Sequence, residues 1–284
     1  MAAKRAKPSI LRRIAKALVI LATLGFAYVA YMYLTLPDVR PFVKENPKTT
    51  AFMELRKAEA RRAGRDGFTI RQQWIGYGKI SPLLKRAVIV TEDAAFFDHD
   101  GIDLNEIRAS MEKNWEEGQF LRGGSTITQQ LAKNLYLSPS RNPMRKVEEL
   151  MIARRLEAAL TKQRIFEIYL NMIEWGDGIF GCEAAARAYF NKSCGSLGYE
   201  EAALMAGAII NPREHSPAHP TKRLLRRQQI ILRRMQFKPP APAAPAVPEA
   251  PNEAPVVPVP QPFPTPPPAE PPGNGSPSSP GEHR

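Results

Sequence analysis

The segment T-E-D-A-A-F-F-D-H-D-G-I-D, Thr91 to Asp103, places two adjacent acids just after the apolar run A-V-I-V. A carboxylate at that position is partly desolvated. Burial raises its pKa and makes it a usable general base or acid near neutral pH. On residue type alone, Glu92 or Asp93 serves equally well as a helix cap or an ion-pair partner. A second stretch, L-R-G-G-S-T-I-T-Q-Q-L-A-K-N, runs from Leu121 to Asn134. Gly123 and Gly124 permit a tight or mobile turn, and Ser125 is expected to cap the helix that follows. A glycine turn at a helix N-terminus suits an anion, although no Gly-Lys-Ser/Thr follows to make it a P-loop. Gln129 and Gln130 beside Lys133 offer several donors, expected on one face, for sugar hydroxyls or phosphates. The third stretch, R-N-P-M-R-K-V-E-E from Arg141 to Glu149, sets Arg145 and Glu149 one helical turn apart, which in isolation reads as an ordinary surface ion pair.

Other constellations are weak. The four histidines, His99, His215, His219 and His283, have no ligand-like spacing, and His99 fits a structural hydrogen bond better than zinc. Ser110-x-x-Lys113 matches an acyl-serine pattern but lacks the accompanying motifs, so it is read as chance.

Helices must position these residues, because strand signals are scarce. Ser81-Pro82 is a cap followed by proline at the first helical position, leading into Glu92. Leu104, Ile107, Met111 and Trp115 recur at three- and four-residue spacing, and Asn142-Pro143 starts another helix. Ile165, Ile168, Tyr169 and Met172 mark one more, and Glu200 to Ile210 another that stops before Asn211-Pro212. Leu224, Leu225, Gln228, Ile231, Leu232 and Met235 form a last helix behind Thr221. The expected fold class is mainly α.

The ends of the 284-residue chain are unlike its middle. Residues 17–36 form an uncharged apolar run, long enough to cross a hydrocarbon core of about 30 Å, with Tyr28, Tyr31 and Tyr33 in its second half. Residues 1–16 hold Lys4, Arg5, Lys7, Arg12, Arg13 and Lys16 and no acid, which predicts a cytoplasmic N-terminus. The run exceeds a signal-peptide core and lacks a small-x-small site before Pro37, so an uncleaved transmembrane helix is expected. Residues 239–284 hold 18 of the 28 prolines and read as a disordered, polyproline-like tail. The remaining 202 residues, 37–238, make one domain. The formal charge of +12 admits nucleic acid, an anionic membrane or an acidic substrate. The tail has four acids and one base, so the rest of the chain carries +15. Two cysteines exclude a disulfide scaffold or a four-cysteine zinc module.

In this order, the stretches resemble the peptidoglycan glycosyltransferase domain of glycosyltransferase family 51, specifically its monofunctional, membrane-anchored biosynthetic members. E-D-x-x-F-x-x-H-x-G is matched by Glu92, Asp93, Phe96, His99 and Gly101. G-G-S-T-I-T-Q-Q with the following Lys-Asn runs from Gly123 to Asn134, and R-K-x-x-E is Arg145, Lys146 and Glu149. Y-L-N-x-x-x-x-G-x-x-x-x-G is Tyr169, Leu170, Asn171, Gly176 and Gly181, and a fifth motif ends at Asn211-Pro212. The likeness covers about Thr49 to Met235. Cys182 stands where alanine is expected; with Cys194 it forms either a disulfide or, as favoured here, a pair of buried thiols.

The resemblance implies a lysozyme-like fold, lipid II and the nascent glycan strand as substrates, and inverting transfer with loss of undecaprenyl pyrophosphate. It implies Glu92 and Glu149 as catalytic carboxylates, and Ser125, Gln129, Gln130, Lys133, Arg141, Arg145 and Lys146 as substrate-binding residues. Gly118 and Gly123-Gly124 would give a loop mobility, and Ile102, Leu104 and Phe120 would dip into lipid. It also implies an inner-membrane enzyme with its domain in the periplasm, beside other cell-wall synthesis proteins and with no nucleic acid. No motif demands a metal or cofactor, and stimulation by a divalent cation stays open. The rival reading is a strand-cleaving hydrolase or lytic transglycosylase. Two carboxylates do not separate the two, but a cation cluster favours a pyrophosphate substrate.

Overall fold

The computed structural model describes residues 10–116, 124–138 and 142–236. Gly118, Phe120, Gly123, Arg141 and the proline-rich segment lie outside the described residues. Helix α1, Ile10–Thr35, starts seven residues before the apolar run and so takes in Arg12, Arg13 and Lys16. Its 26 residues make it about 39 Å long. It is apolar enough to cross a membrane and exposed along nearly all its length. Arg155 caps its C-terminal end, donating to the carbonyls of Leu36 (2.9 Å) and Tyr33 (3.2 Å) and lying over the Tyr33 ring.

The rest is mainly helical: α2 Ala51–Arg62, α3 Pro82–Glu92, α4 Leu104–Glu116, α5 Ile127–Tyr136, α6 Pro143–Ala159, α7 Lys162–Met172, α8 Cys182–Phe190, α9 Tyr199–Ala208 and α10 Lys222–Gln236. The starts follow local chemistry. Ser81, Asn142, Thr161 and Thr221 each accept a backbone N–H of the first turn, and proline opens α3 and α6. For α5 the cap is Thr126, not Ser125: the Thr126 hydroxyl accepts from the Gln129 N–H at 3.2 Å.

Helix α5 is the hub. It packs on α2, α6 and α7, burying Ile127, Leu131, Ala132 and Leu135. Seven consecutive-turn residues of α7, including Phe166 and Tyr169, are buried, and Phe96 meets Phe166 with ring centroids 5.5 Å apart. Helices α9 and α10 close over α3. In α10, Leu224, Ile231 and Met235 are buried as the spacing predicts, whereas Leu225 is exposed. Helix α4 shows the same ambiguity more strongly: Leu104 is 73% and Met111 67% exposed. Two of its spaced apolar residues therefore face outward, while Ile107 between them is half-buried against Gly124.

Sequence patterning missed a small sheet of order β1-β3-β2, built from β1 Arg71–Gln72, β2 Glu174–Gly176 and β3 Ile179–Phe180. β1 and β3 are parallel, pairing Arg71 with Ile179, and β2 and β3 are antiparallel. Here the fourth motif is structural. The Asn171 side chain accepts the Ile75 N–H (2.8 Å) and donates to the Ile75 carbonyl (2.9 Å), stapling the loop before α3 onto α7. Gly181 has φ +80° and lies against the Asn171 carbonyl, where any Cβ would collide. Cys182 and Cys194 are buried free thiols in contact, and burial holds the Cys182 thiol well above its ordinary pKa.

Candidate active site

The first motif folds into a knot that fixes the end of α3 against the start of α5. Asp93, just past the last turn of α3, accepts the Ile127 N–H on Oδ2 at 2.9 Å, a favourable place for a negative charge at a helix N-terminus. Its Oδ1 lies 3.0 Å from His99 Nε2. The Gly101 N–H donates to His99 Nδ1 at 3.1 Å, so in the neutral ring the proton sits on Nε2 and points to Asp93. The Gly101 carbonyl in turn accepts from Thr126 Oγ1 (2.7 Å) and Gln129 Nε2 (3.2 Å).

That knot sets Glu92 opposite Gln130. Gln130 Nε2 donates to Glu92 Oε2 at 3.0 Å, and Tyr169 Oη donates to Gln130 Oε1 at 2.8 Å. Glu92 Oε1 is buried and has no hydrogen-bond partner among the described residues. Burial raises the Glu92 pKa above the usual carboxylate value; the Gln130 hydrogen bond, then Arg227 and Lys133, oppose the shift. The isolation of Tyr169 from water keeps its phenol well above 10.

The second carboxylate, Glu149, is held by two cations from its own helix. Lys146 Nζ donates to Oε1 at 2.5 Å and Arg145 Nη1 to Oε2 at 3.1 Å. Since Glu149 is only 3% exposed, this is no ordinary surface pair. Lys146 also donates to Ser125 Oγ (3.1 Å) and Gln129 Oε1 (3.0 Å), which occupies all three of its ammonium hydrogens. One ammonium thus ties α6 to the start of α5. Gln129 and Gln130 accordingly do not share a face. Adjacent helical positions diverge by about 100°, so Gln129 points to Gly101 and Lys146 while Gln130 points to Glu92.

Lys133 lies between the two carboxylates in its electrostatics, attracted by both Glu149 and Glu92. Burial lowers its pKa, and its ammonium stands 5.9 Å over the Phe52 ring with no hydrogen-bond partner among the described residues. Beside Arg145 opens a groove of about 480 Å³, lined by Tyr28, Tyr31 and Met32 of α1 and by Tyr136 and Glu148. The Tyr136 hydroxyl is buried with no hydrogen-bond partner among the described residues, and its pKa is pushed up to about 12 by burial. Arg141 lies outside the described residues. The structure therefore brings Glu92, Gln130 and Lys133 together with Glu149, Lys146, Ser125 and Gln129 around one helix, α5.

Residues 60–236 match the family described as Transglycosylase. A biosynthetic peptidoglycan transglycosylase of Laribacter hongkongensis is 49% identical over 192 residues, which cover 68% of this chain and 84% of the relative. Those of Dechloromonas aromatica and Chromobacterium violaceum are 51% identical over 190 residues (67% and 82% covered) and 44% identical over 218 residues (77% and 95% covered). The chain belongs to the transglycosylase family.

In this transglycosylase domain one charged neighbour of Glu92 escaped sequence reasoning. Arg227 of α10 places Nη2 3.6 Å from Glu92 Oε1. The only sequence hint was a run of arginines in the final amphipathic helix. Asp93, His99 and Asp103 each bring a ligand atom within 4.8 Å of the others, which is metal-like spacing. Both His99 nitrogens and both Asp93 oxygens are already engaged by the protein, however, and Asp103 caps α4 by accepting the Glu106 N–H. We read the cluster as the knot between helices, not as a ligand set.

Proposed function

We propose that the chain polymerises lipid II into β-1,4-linked glycan strands of peptidoglycan, with Glu92 as the base. The observation that carries this reading is the asymmetry of Glu92: one oxygen is fixed by Gln130, the other has no hydrogen-bond partner among the described residues, and the carboxylate's pKa is raised by burial. A 4-hydroxyl of the incoming disaccharide gives its proton to Oε1. Its oxygen attacks C1 of the lipid-linked strand from the face opposite the pyrophosphate. The C1–oxygen bond breaks, and undecaprenyl pyrophosphate leaves with the electron pair. Inversion follows from that single displacement. A pyrophosphate leaving group needs cations more than a strong acid. Lys133 and Arg145, with Arg141, fit that need, while Glu149 and Lys146 hold the frame that presents them.

Both substrates are lipid-linked, so the site must work at a membrane surface. Helix α1 would supply the anchor, with the basic residues before it cytoplasmic and the domain periplasmic at the inner membrane. The exposed Leu104 and Met111 would rest in the lipid. Other cell-wall synthesis proteins as partners, and divalent-cation stimulation, remain expectations; polymerisation with added magnesium against a chelator tests the latter.

The deciding experiment is polymerisation of lipid II in detergent by the full chain. Wild type should convert lipid II to glycan strands, and Glu92→Gln should not, while retaining its circular dichroism. Full activity in that variant removes Glu92 as base. Release of muropeptides from finished sacculi without consumption of lipid II overturns the polymerase reading.

A further inference from the structure

We propose that Arg227, on the last helix, is a positioning residue for glycosyl transfer, setting a positive charge beside the Glu92 oxygen that has no hydrogen-bond partner among the described residues and keeping that carboxylate ionised. This rests on the reading of Glu92 as base. Arg227 Nη2 is 3.6 Å from Glu92 Oε1, which is ion-pair distance without a hydrogen bond, and Arg227 Nε is itself buried with no hydrogen-bond partner among the described residues. The oxygen thus feels a positive charge while its lone pairs stay free to take a proton.

The placement is built into the fold. Helix α10 lies on α3 and α9, anchored by Leu224, Ile231 and Met235 and by Gln228 Nε2 donating to the Glu200 carbonyl at 3.0 Å. Seven residues beyond Arg227, two turns along the same face, Arg234 Nη1 donates to the Val90 carbonyl at 3.3 Å. Two cations of α10 therefore meet the last turn of α3, where unpaired carbonyls and the helix dipole concentrate negative charge. Glu92 is the final residue of that turn. Around its carboxylate stand Gln130 and Lys133 from α5, Tyr169 from α7 through Gln130, Asp93 beside it, and Arg227 from α10. Arg227 is the cation nearest to Oε1 among the described residues.

The sign of the effect is fixed. A positive charge lowers the pKa of a carboxylate, and only the ionised form accepts the acceptor's proton. Rates of lipid II polymerisation should be measured from pH 5 to 9 for wild type, R227Q, R227M and R227K, with E92Q as control and melting temperatures for all. Removing the charge with R227Q or R227M should move the acid limb of the profile upward by about one unit. That is roughly a tenfold loss on the acid side with near-wild-type rates at the alkaline end and an unchanged KM. R227K should restore most of the shift. Methionine keeps the aliphatic stem, so it carries the test if the glutamine variant unfolds. A wild-type-shaped profile in the uncharged variants, whether at full or uniformly lowered rate, overturns the inference. If E92Q stays active, the base assignment falls first, and the two failures are distinct.

Discussion

Glu92 and Glu149 are both carboxylates shielded from water beside α5, yet they differ in how their oxygens are used. Glu149 has a cation on each oxygen, one of them a lysine that also binds Ser125 and Gln129. Among the described residues, Glu92 has one amide on one oxygen and a guanidinium at 3.6 Å, without a hydrogen bond, near the other. A fully paired buried charge stabilises a frame, whereas a half-paired one is a poised reactant. The difference supports the proposal that Glu92 is the base and that Glu149 acts through the cations it holds.

The sharpest way to break this comparison is to neutralise each carboxylate in turn. Glu92→Gln should lower polymerisation by about 10²–10⁴-fold, the usual range for losing a positioned base, with little change in melting temperature. Glu149→Gln removes the negative charge from beneath two cations. It should cost roughly 1–3 kcal/mol in denaturant unfolding and lower activity through the displaced Lys146. If the glutamine at 149 leaves stability untouched, or the glutamine at 92 destabilises as much, the division into frame and reactant is wrong.

The pH dependence sharpens the same contrast. Because burial raises the Glu92 pKa above 4.5, the ionised base is lost at a higher pH than an exposed glutamate would be. The rate should therefore fall on acidification through a pKa above that value. Stability runs the other way. A raised pKa means the folded state binds the proton more tightly, so this group's contribution is full below the unfolded pKa and is lost as pH rises through the folded one. Rate profiles and melting curves over the same pH range check both signs. An acid limb at the ordinary glutamate pKa would contradict the desolvation argument.

How much of this was legible beforehand depended on the range of the interaction. Ser81, Asn142 and Thr221 signalled their helices correctly, because capping needs only the next three residues. Ser125 and Thr126 stand side by side with similar cap chemistry, and their long-range partners differ: Lys146 of α6 engages Ser125, while the Gly101 carbonyl engages Thr126, the cap. The strands of two or three residues are too short to show a period. Apolar spacing in α4 is the same whether a residue meets protein or solvent, so exposure of Leu104 and Met111 could not be read from it. Arg227 reaches Glu92 across 135 positions of sequence, and nothing local in the α10 arginine run marks which one turns inward.

The smallest effect probes the far end of the chain of bonds behind Glu92. Tyr169 is fully buried, and its hydroxyl donates to Gln130 Oε1, which leaves the amide NH₂ turned toward the carboxylate. An ionised carboxylate can only accept, so the reversed amide would set oxygen against oxygen. Tyr169→Phe keeps the ring packed against Phe166 and removes only that orienting donor. It should cost about 1 kcal/mol of stability and slow polymerisation a few-fold, with the pH profile nearly unmoved. A loss as deep as that of Glu92→Gln would mean that the phenol itself handles the proton. With its pKa held well above 10, that role would demand a different account of where the base lies.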